Sequence, residues 1–428
     1  MAAKTLVVYA NGRHVGALTD ENGIWSFGYD DTWTSASDAF PLSPAFPLTN
    51  EPVVDGSRER PVQWFFDNLL PEEGMRVALA REAKLDATDA WGLLAWYGRE
   101  SAGALTLLPE GAREAAGSRI PLSFEQLEAR IQAMPQQALT ATSPKRMSAA
   151  GAQQKLLLIL TGQRPRYALF EPEGAEPSMH LLKPDMRVTG YAHSAINEFF
   201  CARLARRIGL TVPDTHLLRV PSACYVIDRF DRDSATSPAS RIHTLDATQL
   251  LNKDKSFKYN NATATSLALC IEKLGAKAAA RLAIFRWSVF NVLIGNADAH
   301  LKNVSFFSNA KGYQLAPFYD LVSTVVYNTP TYNEHGERWP HCELSMPMGE
   351  ARHFSELNRA NVLAFATELG MRGSGAEIEL DKLLVELPRH VARVRAEVND
   401  IAQPNAGEIR LLDAIERLPL AEITRALG

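Results

Sequence analysis

Ile294-Gly295-Asn296-Ala297-Asp298-Ala299-His300-Leu301-Lys302-Asn303, followed after an apolar run by Phe318-Tyr319-Asp320, decides the reading of this chain. Upstream, Leu282 to Ile294 carries Phe285, Trp287, Phe290 and Leu293 and predicts a deeply buried helix. Downstream, Val304 to Phe307 is apolar again. A dense polar cluster between two such runs marks a site at the edge of a core. Within it Asp298 and Asn303 stand five positions apart, and Asp320 follows 17 positions after Asn303.

Those residue types suit one chemistry. Phosphoryl transfer from ATP needs a carboxylate to accept the proton of the attacking hydroxyl. It also needs an amide oxygen and a second carboxylate to hold Mg²⁺ against the phosphates. The protein-kinase catalytic loop uses the same Asp-x-x-x-x-Asn spacing. On its own the spacing recurs by chance, and Asn296, Asp298 and Asn303 would also serve as turn and cap residues. The flanking apolar runs favour the site. His300, lacking a second histidine at helical spacing, reads as a loop-packing residue rather than a base. No G-x-S-x-G hydrolase signature occurs.

With 428 residues there is chain enough for two or three domains. Apolar residues at 46 % and charged residues at 22 % are ordinary globular values, and a formal charge of −4 argues against direct nucleic-acid binding. Cys201, Cys224, Cys270 and Cys342 are widely spaced, which excludes a disulfide framework or a C-x-x-C zinc site and fits a reducing cytoplasm. No window approaches 18 uninterrupted apolar residues and the N-terminus lacks a signal-peptide pattern, so no membrane association is expected.

Along the chain, Leu6–Tyr9 and His14–Leu18 predict a hairpin turning at Asn11-Gly12, and Trp25–Tyr29 a third strand. Phe65 to Pro71 opens a helical region, and Asp89 to Tyr97 a helix with Thr88 as N-cap. Pro109, Gly111 and Gly117 read as a loose connection. Lys155–Leu160, Arg166–Phe170 and Met179–Lys183 predict neighbouring strands. Ser194 to Gly209 is a helix, with Ile196, Phe199, Phe200, Leu204 and Ile208 on one face and Ser194 as N-cap. Cys224–Ile227 is a strand. Beyond residue 240 the pattern reads as mostly helical, with loops near 251–263, 308–313 and 326–349. The expected architecture is α+β and kinase-like: a small N-terminal α/β domain (1–110), a connection (111–145), a sheet-rich lobe (146–230) and a helical lobe (231–428).

Lys183, at the end of a predicted strand, stands where a kinase lysine reaches the ATP phosphates, and Glu198 on the following helix is its natural orienting partner. A strand-end lysine and a solvated glutamate are the plainer alternatives. Ser148 to Lys155 is rich in small residues that let backbone N–H groups approach phosphates, though it matches no standard phosphate-loop pattern.

Taken together in order, these segments resemble the HipA family of bacterial toxin–antitoxin serine/threonine kinases. Phe65–Pro71 and Gly98–Ala104 resemble its N-terminal domain and Ser148–Lys155 its phosphate loop. Asn197–Phe200, Arg229–Arg232, Ile294–Asn303 and Leu315–Asp320 follow in family order. The resemblance implies Asp298 as catalytic base, and Asn303 and Asp320 as Mg²⁺ ligands. It places Lys183, His300, Asn303 and the loop Ala150, Gly151, Ala152, Gln153, Gln154 and Lys155 at ATP. Asp228 to Phe230 would be the adenine-binding hinge, with Asp228 where glutamate is more usual. Ser148 would be the autophosphorylated serine that shuts the kinase down. The implied partners are a protein of the translation machinery, such as an aminoacyl-tRNA synthetase, and a HipB-like helix-turn-helix antitoxin that carries the kinase to operator DNA. A small-molecule phosphotransferase and a non-catalytic nucleotide-binding subunit of a repressor complex remain as alternatives.

Overall fold

The computed structural model describes residues 3–134, 136–145, 153–236, 238–333 and 336–428. Two compact units emerge. The first comprises Met1–Lys183, Ile227–Lys255 and Phe306–Ala316; the second comprises Pro184–Val226, Ser256–Ser305 and Pro317–Gly428.

In the first unit, Lys4–Ala10 and Arg13–Glu21 form the expected hairpin, with Asn11 (φ 50°) and Gly12 (φ 76°) in the left-handed region that a tight primed turn requires. Ile24–Tyr29 and Val53–Val54 extend this sheet on one side and Leu105–Pro109 on the other, all antiparallel. Its inner face buries Leu6, Val8, Val15, Leu18, Trp25 and Phe27. The helices Pro61–Asp67 and Ala90–Tyr97 supply Phe65, Phe66, Leu93 and Leu94 to the same core. Edge-to-face aromatic pairs bind the layers: Trp25–Trp91 at 5.2 Å, Phe27–Phe46 at 5.5 Å and Phe46–Phe65 at 5.2 Å. Helix Ala90–Tyr97 is capped by Asp89, which accepts the Gly92 N–H at 2.8 Å, and not by Thr88. Thr88 instead donates to Asp86 in the turn before it.

Four strands of a second sheet, His180–Pro184, Leu156–Gln163, Arg166–Glu173 and Ser118–Leu122, lie side by side in that order and pair antiparallel. Its last strand lies in the stretch expected as a loose connection, which also holds the helix Phe124–Ala133, started by a Ser123–Gln126 capping box. Beyond residue 240 the chain is mostly helical, as expected, with short strands set among the helices. Thr244–Asp246, Ser305–Asn309 and Gly312–Leu315 make a three-stranded sheet, and Glu343–Met348 pairs with Ala351–His353. The expected loop at 308–313 is the turn of that first hairpin, where Gly312 (φ 99°) permits the reversal.

One buried carboxylate ties the first unit together. Glu100, fully buried, accepts from Lys145 (2.9 Å), Arg232 (2.7 Å), Arg241 (2.8 Å), Arg229 (3.3 Å) and Ser178 (2.9 Å). Asp231 completes the cluster through Arg229 at 2.6 Å, and also accepts the Gly103 N–H at 2.7 Å. Burial alone would raise the Glu100 carboxyl, but Arg241, Arg232, Lys145 and Arg229 outweigh it and hold it well below the usual carboxylate range. The same competition, burial against Arg229 and Arg232, leaves Asp231 at about 2.

The second unit is mainly helical. Ser194–Arg207, Lys277–Leu293, Arg359–Glu368 and Gly373–Ala402 contribute Phe199, Phe200, Phe285, Trp287, Phe290, Phe365 and Leu380 to its interior. Ser194 is the first residue of its helix rather than the cap: the cap position is His193, in the left-handed region, and Ser194 Oγ accepts the Met186 N–H at 2.8 Å. Among the described residues no helix is long and apolar enough to cross a membrane.

Candidate active site

The helix Lys277–Leu293 ends in a Schellman turn. Gly295 takes the left-handed position (φ 67°), its N–H reaching Val292 O at 3.0 Å while Asn296 N–H reaches Asn291 O at 2.8 Å. Only glycine fits there, because a Cβ at 295 would lie 2.2 Å from Val325 Cγ2 and 2.9 Å from Pro419 Cβ. The Gly295 carbonyl then accepts the N–H groups of Thr324 (2.9 Å) and Val325 (3.1 Å). Ala297 N–H donates back to Thr324 Oγ1 at 2.7 Å.

The polar side chains of this stretch hold its own backbone. Asn296 donates to Asn291 Oδ1 (2.8 Å) and Asp320 O (3.3 Å), and its Oδ1 accepts the Asp298 N–H (3.0 Å). Asn303 Nδ2 donates to Asp298 O at 2.7 Å across the short 3₁₀ turn Leu301–Asn303. Asp298 is therefore fixed through both its N–H and its C=O, while its side chain stays 53 % exposed. His300, Lys302 and Asn303 are buried beside it. Tyr319 Oη donates to Lys302 O at 2.7 Å, and Trp287 stacks on Phe318 at 5.7 Å. The Asp320 backbone has φ 53°, a left-handed conformation uncommon for non-glycine residues and concentrated at functional sites.

The helix Ser194–Arg207 is pinned to the segment after Asp320. Asn197 Nδ2 donates to Ser323 O (2.9 Å) and Tyr327 Oη (3.2 Å), and its Oδ1 accepts the Ser323 N–H (2.9 Å). Glu198, the next residue, is buried.

In the first unit Lys183 and Lys155 are both buried, at 6 % and 7 % exposure. The antiparallel register that sets Leu156 against Leu182 makes them the next opposed positions, on one face of the pair. Gln154 Oε1 accepts the Leu139 N–H at 3.1 Å. His180 Nδ1 accepts the Leu160 N–H (3.0 Å), which leaves Nε2 to carry the proton toward Asp228 Oδ1 at 3.4 Å. Arg229 N–H donates to Met179 O at 2.8 Å, and Phe230 packs edge-to-face on Phe307 at 5.9 Å. Ser148, Ala150, Gly151 and Ala152 lie outside the described residues; Gln153 and Lys155 lie within them.

The second unit thus brings Asp298, His300 and Asn303 into one hydrogen-bonded stretch and ties it to Asp320. It adds a residue that the sequence reading missed. Tyr259 Oη donates to Asp298 Oδ1, and its ring meets His300 edge-on at 4.9 Å. Tyr259 is 39 residues from Asp298, in a segment read only as a loop, and no local pattern announces the contact.

A half-exposed carboxylate on an immobilised backbone, with an amide and a second Asp fastened to the same frame, is the constellation of a kinase-type phosphotransferase. Comparison with known proteins agrees. Residues 6–108 match the HipA N-terminal domain and residues 147–395 the HipA-like C-terminal domain. The chain belongs to the HipA family. It is 28 % identical to the serine/threonine-protein kinase toxin HipA of Shewanella oneidensis over 91 % of this chain and 89 % of that one. It is 30 % identical to Y4mE of Sinorhizobium fredii, a protein named as a kinase, over 97 % of each. Among solved structures, HipA in the Shewanella oneidensis complex of HipA, HipB and operator DNA matches with a TM-score of 0.77 and 25 % identity. That match covers 99 % of this chain and all of the other. The α+β, kinase-like fold expected from the sequence is the fold of this chain.

Proposed function

We propose that this chain is an ATP- and Mg²⁺-dependent serine/threonine protein kinase, the toxin of a toxin–antitoxin module, acting in the cytoplasm. The observation that carries the reading is the clamped presentation of Asp298. Asn296 and Asn303 hold its backbone at N–H and C=O, so that the exposed carboxylate is presented to an incoming hydroxyl from a fixed backbone. Asp298 accepts that hydroxyl's proton as the oxygen attacks the γ-phosphoryl group. Lys183, Lys155 and the loop from Ala150 onward hold the phosphates, Glu198 orients Lys183, and the Asp228–Phe230 backbone receives adenine. His300 lines the nucleotide side of the loop.

The donor set fits magnesium. Asn303 spends its nitrogen on Asp298 O, which leaves its oxygen for a cation, and Asp320 offers a carboxylate. Two hard oxygen ligands, with water and substrate phosphate supplying the rest, are what Mg²⁺ takes in such sites. When bound, the ion neutralises charge between the phosphates.

Further parts of the reading rest on kinship. The HipA–HipB–operator complex supports a HipB-like antitoxin and, through it, operator DNA for this chain. A translation component such as an aminoacyl-tRNA synthetase is the proposed substrate, and Ser148 the proposed site of inactivating autophosphorylation. The partition at residues 110, 145 and 230 is the proposed domain plan. To test the reading, the purified chain is incubated with labelled ATP and Mg²⁺, alone and with cell lysate. Self-labelling plus one labelled protein band is expected. A labelled small molecule would instead identify a small-molecule phosphotransferase, and no label a non-catalytic subunit.

A further inference from the structure

We infer that Tyr259 is a positioning residue for the proton acceptor of this kinase, an inference that rests on Asp298 holding that role. The backbone of Asp298 is fixed at both ends, but its side chain is 53 % exposed. A half-exposed carboxylate on a rigid backbone still rotates about its two side-chain torsions unless something holds one oxygen. Among the described residues, the Tyr259 hydroxyl is the direct hydrogen-bond donor to that carboxylate, at Oδ1. His300 Nε2 lies 3.9 Å from the same oxygen.

The donor is itself built in place. Lys258 O accepts the Leu301 N–H at 3.3 Å, which ties the tyrosine's loop to the same stretch that carries Asp298. Ala262 N–H closes the loop on Tyr259 O at 2.8 Å, and Thr263 caps the helix Ala264–Glu272 that follows. The His300 ring, itself buried, bears edge-on against the Tyr259 ring at 4.9 Å and sets the direction of the hydroxyl.

The consequence is a division of labour between two oxygens. Tyr259 occupies Oδ1, so Oδ2 is the atom presented to the substrate hydroxyl. In the transfer step the substrate O–H bond breaks, its proton goes to Oδ2, and the freed oxygen pair forms the new P–O bond as the bond to the ADP oxygen breaks. Tyr259 keeps its own proton throughout and acts through Asp298.

Tyr259→Phe removes the hydroxyl and retains the ring against His300. Initial rates of self-phosphorylation over a range of labelled ATP concentrations separate the two roles. The expected result is a fall of about tenfold in the rate at saturating ATP, the lower end for a hydrogen bond to a charged group at a solvent-open site. The half-saturating ATP concentration and the melting temperature stay at wild-type values. Three results overturn the inference: an unchanged rate, a faster rate (which would make Tyr259 a block on the base), or a raised half-saturating concentration with the rate preserved. Asp298→Asn runs in parallel. If it retains transfer, the kinase reading of Asp298 is what fails; if it is inactive while Tyr259→Phe matches wild type, only the positioning role fails.

Discussion

Removing the Glu100 carboxylate takes the common partner from four buried cations at once. In Glu100→Ala, Arg229 and Arg232 still face Asp231, at 2.6 and 3.1 Å. Lys145 keeps the Glu176 carbonyl at 3.2 Å and Glu114 at 3.8 Å. Arg241 keeps the Thr106 hydroxyl at 2.6 Å but loses its carboxylate. Breaking a buried ion pair from one side costs about 3–5 kcal/mol, since the remaining charge is left uncompensated out of water. For a unit of this size each kcal/mol moves the melting temperature by about 2–4 °C, so a fall on the order of 10 °C is expected. Differential scanning calorimetry at neutral pH measures it. The sign of its pH dependence follows from the depressed folded-state pKa of Glu100. The carboxylate's contribution is complete above its unfolded pKa of about 4.3 and fades as pH falls through the folded value. The gap between wild type and variant therefore narrows in acid. A variant melting within about 2 °C of wild type at neutral pH would refute the reasoning.

Asp298→Ala should lower phosphoryl transfer by about 10²–10⁴-fold while leaving nucleotide binding intact, and a variant retaining more than about a tenth of wild-type transfer would remove Asp298 as the base. Asp320→Ala should instead weaken Mg²⁺-dependent ATP binding, read by calorimetry with and without the metal; equal affinity would count against its metal role. Mass spectrometry of active protein should find phosphate on Ser148, whose added charge of roughly −1.5 to −2 should repel ATP. Phosphate found only elsewhere, or modified protein that binds ATP as tightly as before, would end that proposal.

What the sequence announces and what it hides divide along sequence separation. The Asn11-Gly12 turn, the helix Ser194–Arg207 and the buried helix Lys277–Leu293 are written in local periodicity and turn chemistry, and the structure has them. The strand Ser118–Leu122 is mostly exposed and lacks alternation; it is a strand because Arg166–Glu173 pairs with it, Leu122 against Leu169 and Ser118 against Glu173. The helix after it was legible in principle, since Ser123 and Gln126 carry a capping-box spacing. In the candidate site, Asp298, Asn303 and Asp320 are singled out by their spacing, whereas Tyr259 reaches Asp298 only in three dimensions. The Gly98–Ala104 and Arg229–Arg232 segments stood out separately as resemblances. That they meet, Glu100 against Arg229 and Arg232, is a long-range electrostatic fact no window of sequence contains.

The Gly295 carbonyl has a mechanical consequence. By receiving the Thr324 and Val325 N–H groups it bolts the Asp298 stretch and the chain leaving Asp320 to one point at a helix end. Any drift of that helix carries both acids along the same vector, so the error is common-mode and cancels in the distance between them. Breathing of the helix is thus expected to preserve the spacing of Asp298 and Asp320. The joint itself leaves no room for a side chain larger than hydrogen at Gly295.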